Sequence, residues 1–124
     1  MVSILVVDDS KFSRSRVVAA LTGFGYVLTE ADSGATALEA VRAARPDLIV
    51  TDLLMPQLDG LGLIAALQRE GFSIPIIVLS ADIQSTSKSA SAELGARAFL
   101  HKPFAPDELR RTIGELLSEV ALCL

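Results

Sequence analysis

Residues 3–10 read Ser3-Ile4-Leu5-Val6-Val7-Asp8-Asp9-Ser10: four consecutive apolar side chains, then two carboxylates and a hydroxyl. A half-buried strand alternates apolar and polar residues. An unbroken apolar run asks for burial on both faces, the condition of a strand inside a parallel sheet. Ser10 is a suitable N-cap, so a strand over 3–7 passes through an acidic turn into a helix over 11–23. Val17, Val18, Leu21 and Phe24 share one side at helical spacing, the side expected to face the sheet. Gly23 and Gly25 end that helix.

The same rhythm continues to the end of the chain. A strand over 27–30 alternates more and ends polar, as an edge strand does. A helix over 35–44 turns Leu38 and Val41 inward, with Pro46 just beyond it. A strand over 48–52 leads into a loop punctuated by Pro56 and Gly60, and a helix over 61–70 stops at Gly71. Strands over 76–79 and 98–100 flank a helix over 85–94. The last helix runs over 106–120, with Pro106 in its first turn and Leu109, Ile113, Leu116 and Val120 toward the sheet. Alternating strands and helices specify an α/β fold: a doubly wound, five-stranded parallel sheet covered on both faces. At 124 residues the expectation is one domain over 1–124.

Composition narrows the function. Hydrophobic residues make up 51% of the chain, enough for a sizeable core. The net charge of −4 and the lack of any long basic run argue against nucleic acid or an anionic membrane as primary partner. Apolar stretches are too short to cross a bilayer, and no basic segment precedes the first apolar run as in a signal peptide. The single cysteine, Cys123, has no internal disulfide partner. A cytoplasmic protein is expected.

Each apolar run stops at a group capable of chemistry. The first ends at Asp8-Asp9, the third at Asp52, the fourth at Ser80 and the fifth at His101-Lys102-Pro103. Ligands of open α/β sheets bind beyond the carboxyl ends of the strands, where strand order reverses. Asp8, Asp9 and Asp52 would repel one another there, and a hard divalent cation relieves the conflict; Mg²⁺ suits oxygen donors and keeps open positions for a phosphoryl oxygen. The Ser80 hydroxyl and Lys102 ammonium are donors for such oxygens. Asp52 is placed to be a nucleophile, since carboxylates form aspartyl phosphates, and Lys102 would otherwise pair with it. His101 reads as structural. Phe12 falls opposite the apolar side of its helix, as an isolated exposed apolar residue or as a docking point for a partner.

Together these segments resemble the receiver domain of bacterial two-component response regulators, the stand-alone chemotaxis regulators in particular. The resemblance covers essentially the whole chain and rests on residues 4–10, Asp52-Leu53-Leu54-Met55-Pro56, Asp59-Gly60, Ser80-Ala81, Gly95-Ala96 and Lys102-Pro103-Phe104. It implies a flavodoxin-like three-layer sandwich with strand order 2-1-3-4-5, and a phosphorylation-controlled switch with no external substrate to turn over. By position, Asp52 is the phospho-acceptor. Asp8, Asp9, Asp52 and the Leu54 backbone carbonyl hold Mg²⁺, Asp9 directly and Asp8 through water. Ser80 and Lys102 contact the phosphoryl group, Phe99 switches with Ser80, and Lys102-Pro103 is cis. The implied partners are a sensor histidine kinase or histidine phosphotransfer protein, and a target on the face made by helix 85–94, strand 98–100 and helix 106–120. A monomer or weak dimer is expected. Residues 85–94 are rich in Ser and Thr, which reads either as the least stable helix or as a solvated polar face on an ordinary one, and the apolar tail 120–124 reads as packing on the sheet, as part of a dimer face, or as the junction to an output domain.

Two alternatives differ in class. A haloacid-dehalogenase-like, Mg²⁺-dependent phosphatase also uses an aspartate nucleophile, but needs a second aspartate two residues on, where this chain has Leu54. A flavin-binding module needs a phosphate loop after the first strand, where this chain has carboxylates.

Overall fold

The computed structural model describes residues 2–52, 60–80 and 96–122. In chain order the elements are β1 (Ser3–Val7), α1 (Lys11–Leu21), β2 (Val27–Ala31), α2 (Gly34–Ala43), β3 (Leu48–Asp52), α3 (Gly60–Arg69), β4 (Ile76–Ser80), β5 (Ala98–His101) and α4 (Pro106–Leu122). All strand pairs are parallel, in the order β2-β1-β3-β4-β5. This is the expected strand order, with β2 at an edge. The helix expected over 85–94 lies outside the described residues, as do Leu54, Cys123 and the end of the tail.

The period of a strand explains the two cores. On β1, Leu5 and Val7 join Ile49, Val78, Val41, Leu63 and Leu67 on the face covered by α2 and α3. Ile4 and Val6 join Val50, Ile77, Leu79, Leu21, Leu109 and Ile113 on the face covered by α1 and α4. Successive side chains point to opposite faces, so the unbroken run Ile4-Leu5-Val6-Val7 feeds both layers. Each fully buried aliphatic side chain contributes about 1.5–3 kcal/mol. Three layers follow from the sequence pattern.

Local chemistry sets the helix ends. The Ser10 Oγ accepts from the Ser13 N–H at 3.3 Å, as a capping residue does. Ser33 and Thr36 form a reciprocal capping box, each side chain accepting from the other's backbone N–H; α2 therefore begins one residue earlier than expected. At the end of α3, Gly71 takes φ +82°, and the Phe72 N–H donates to the Leu67 carbonyl at 2.9 Å. This left-handed termination favours glycine.

One expected core residue is not in the core. Phe24 was placed on the apolar side of the first helix, yet it is 54% exposed. Helix α1 ends at Leu21, where the Thr22 N–H and Oγ1 both donate to the Val18 carbonyl. Gly23 then takes φ +91° and carries the chain off the helical path, so 100° per residue no longer applies. Phe24 instead lies under the Arg110 guanidinium, 4.6 Å from its ring centroid. Arg110 also donates to the Ala20 carbonyl at 2.9 Å, tying α4 to the end of α1.

A second tie joins α2 to the end of α3: Arg42 donates through Nε and Nη2 to both Glu70 oxygens at 2.7 Å. These hydrogen bonds hold the Glu70 carboxyl below its ordinary range. A depressed folded-state value makes the stabilisation present above the unfolded value near 4.5 and lost as pH falls below it. Glu70→Gln should therefore lower the thermal midpoint at neutral pH, with the gap from wild type closing in acid. A gap that widens in acid contradicts this. In the core, Leu109→Ala should cost about 2–5 kcal/mol in denaturant unfolding.

Candidate functional site

Register brings the acidic residues level. Val7 pairs with Thr51 across β1 and β3, so Asp8 and Asp52 emerge side by side. Asp52 pairs with Leu79, and Ser80 with His101, which places Lys102 one residue past the last rung of β5. The Lys102 N–H donates to the Ser80 carbonyl at 2.8 Å, extending that ladder by one bond. The Lys102–Pro103 peptide bond is cis.

The Lys102 ammonium lies 3.1 Å from Asp8 Oδ2 and 3.3 Å from Asp52 Oδ1. Pairing with Asp52 was expected; the shorter contact to Asp8 was not. Asp8 is almost fully buried, and its Oδ1 accepts from the Ser10 N–H at 2.9 Å. Both of its oxygens are thus engaged. Asp9 is exposed. Carboxylate oxygens of Asp8, Asp9 and Asp52 lie within 4.8 Å of one another. Octahedral Mg²⁺ has oxygen ligands at about 2.0–2.1 Å, which puts opposite corners about 4 Å apart. The donor set, all hard oxygen, fits that ion in kind. Asp8, Asp9, Asp52 and Lys102 are brought together as expected.

Ser80 is buried at the end of β4, at the same edge of the sheet. Phe99 is half-buried and packs against the core beneath α2 and α3. Its ring meets His101 edge to face, centroids 5.5 Å apart; His101 itself is exposed. Phe12 is 72% exposed, with the Arg16 guanidinium 5.9 Å from its ring. A small cavity of about 40 Å³ beside the cluster is lined by Ser13, Arg16, Lys102, Pro103 and Phe104.

Arg14 was not singled out from the sequence. Its Nη1 donates to the Asp8 carbonyl at 2.7 Å and its Nε to Glu30 Oε1 at 2.8 Å. The available signal was its place four residues after the N-cap, from which a helical side chain leans back over the N-terminus.

The family model described as response regulator receiver domain matches residues 4–114. The chain is 39% identical over 121 residues to response regulator MprA of Mycobacterium ulcerans, covering 98% of this chain and 52% of that protein. It is 40% identical over 114 residues to MprA of Mycobacterium leprae, covering 92% and 50%. The chain spans about half the length of these curated relatives. The Francisella response regulator 1452 receiver domain superposes with a TM-score of 0.91 at 31% identity, covering 97% of this chain and 99% of that one. Vibrio cholerae chemotaxis protein CheY4 superposes with a TM-score of 0.85 at 32% identity, covering 93% and 98%.

Among the described residues, the Lys102 ammonium contacts two of the three clustered carboxylates, and like charges within 4.8 Å repel. Asp9→Asn should raise the thermal midpoint in metal-free, low-salt buffer, with the gain fading as added salt screens the repulsion. A lower midpoint in that buffer contradicts the reading of the cluster as electrostatically strained.

Proposed function

This chain belongs to the response regulator receiver family of two-component signalling, and from that premise we propose that Asp52 is the phospho-acceptor of a Mg²⁺-dependent switch. The observation that carries the reading is the Lys102 ammonium shared between Asp8 and Asp52, with Asp9 beside them. An Asp52 oxygen attacks the phosphorus of a phosphohistidine on a histidine kinase or phosphotransfer protein. The P–N bond breaks, its electron pair returns to the imidazole, and an acyl phosphate forms. Attack by water on phosphorus later restores the carboxylate and releases inorganic phosphate.

Asp9, Asp52 and the Leu54 carbonyl would hold Mg²⁺ directly and Asp8 through water, an assignment supported by the two bonds that already engage Asp8. The bound ion would neutralise charge on the phosphoryl oxygens during transfer. Lys102 needs only a short movement from the Asp52 carboxylate to donate to a phosphoryl oxygen attached there. Ser80 supplies a hydroxyl from β4. Its movement, followed by Phe99, would alter the face made by residues 85–94, β5 and α4, where a target protein binds. The domain, taken as a single unit over 1–124, works in the cytoplasm as a monomer or weak dimer and makes no nucleic-acid contact of its own. The phosphatase alternative finds no support: the family match is to receivers, and Leu54 offers no acid two residues after Asp52.

Incubation with Mg²⁺ and a small acyl phosphate, followed by intact mass measurement, tests the proposal. The wild-type chain should gain one phosphoryl group, lose it with time, and gain none when Mg²⁺ is chelated; Asp52→Asn should gain none. No adduct on the wild type, or an equal adduct on Asp52→Asn, overturns it.

A further inference from the structure

We infer that Arg14 is a positioning residue for the cation site: its guanidinium fixes the peptide joining Asp8 to Asp9 and so aims the Asp9 carboxylate. The inference rests on the metal-binding reading above. Arg14 lies in the first turn of α1, and side chains there lean toward the helix N-terminus. It reaches the Asp8 carbonyl through Nη1 at 2.7 Å and Glu30 through Nε at 2.8 Å. Its side chain is only 14% exposed, an unusual degree of burial for arginine.

The identity of the bonded oxygen is what matters. The Asp8 carbonyl and the Asp9 N–H belong to one planar peptide. Rotating that plane displaces the Asp9 side chain relative to Asp8 and Asp52. Asp8 has other restraints: its N–H donates to the Ala31 carbonyl at 3.1 Å, and its carboxylate accepts from the Ser10 N–H and Lys102. Asp9 is exposed, and among the described residues no hydrogen bond or ion pair holds its carboxylate. Arg14 therefore supplies, through the backbone, an orientation that no contact of Asp9 among the described residues provides. A charged donor makes this a strong restraint, roughly twice a neutral hydrogen bond.

Charge alone would predict the opposite effect. A guanidinium near a cation site disfavours a second cation. Glu30 offsets that charge, which leaves direction as the contribution of Arg14. Its planar fork serves two acceptors at once in fixed geometry, whereas a lysine ammonium does not. Groups that orient a metal's ligands typically change affinity by about 10–100-fold when removed.

The probe is Mg²⁺ alone, added to the full chain. Its dissociation constant is measured by calorimetry, and the thermal midpoint is measured with and without it. Mg²⁺ should raise the wild-type midpoint, since a ligand of the folded state stabilises it. Arg14→Ala should weaken Mg²⁺ binding roughly 10-fold and shrink the Mg²⁺-induced rise. Arg14→Lys, which keeps the charge and is the safer variant for folding, should fall between. Glu30→Gln, which keeps the bond to the Asp8 carbonyl, should stay within about 3-fold of wild type, well under the loss expected for a ligand-orienting group. A merely structural Arg14 would lower the midpoint equally with and without Mg²⁺ and leave the dissociation constant unchanged; that result overturns the inference. Wild-type affinity in Arg14→Lys beside a large loss in Glu30→Gln also overturns it, by showing that charge rather than peptide orientation governs binding. A wild-type chain that ignores Mg²⁺ removes the metal reading itself, and the inference with it.

Discussion

Parallel strands all point the same way, so a parallel sheet delivers the last residue of every strand to one edge. Everything distinctive about this chain depends on that constraint. Asp8 and Asp9 follow β1, Asp52 ends β3, Ser80 ends β4 and Lys102 follows β5. Asp8 and Lys102 are 94 positions apart in sequence, yet the ladder sets them within bonding distance. The apolar residues that bury the strands on both faces thus also aim the polar ones. Packing and chemistry are one design here, because a slip of one residue in register would turn every core side chain to the wrong face.

Gathering three carboxylates at one edge carries an electrostatic cost. Lys102 stands between two carboxylates, and a third lies alongside. A protein selected for stability alone would not gather these charges. A site that must capture a cation and a phosphoryl group benefits from them, since binding relieves the repulsion. Under the proposed function the same ammonium that steadies the cluster would contact the phosphoryl group, so counter-ion and contact would be a single side chain and modification of Asp52 would change its pairing.

Much of this was legible in the sequence, and the failures are instructive. The apolar runs ending at Val7, Val50 and Leu79 identify central strands because burial on both faces leaves no polar position within them. The polar end of 27–30 marks the edge strand for the converse reason. The acidic pair, Asp52 and Lys102 were found because strand ends are fixed by the topology. Phe24 was misplaced because periodicity was carried past Gly23, whose left-handed backbone breaks the helical phase. The Lys102–Asp8 contact was missed because reach from β5 across β4 and β3 depends on side-chain conformation, which strand register does not specify. Arg14 was missed because its partners are a backbone carbonyl and a residue of β2, so only its place after the N-cap pointed to it.

The central claim is that Asp9 and Asp52, held in place from separate strands, share one divalent cation. Crystals grown with Mn²⁺ in place of Mg²⁺ test it most directly, because anomalous scattering locates the ion without reference to the protein. The account predicts a single strong peak bound by carboxylate oxygens of Asp9 and Asp52, with the Lys102 ammonium displaced from at least one of its carboxylates. A peak elsewhere, or none at this edge of the sheet at a saturating concentration, would contradict it.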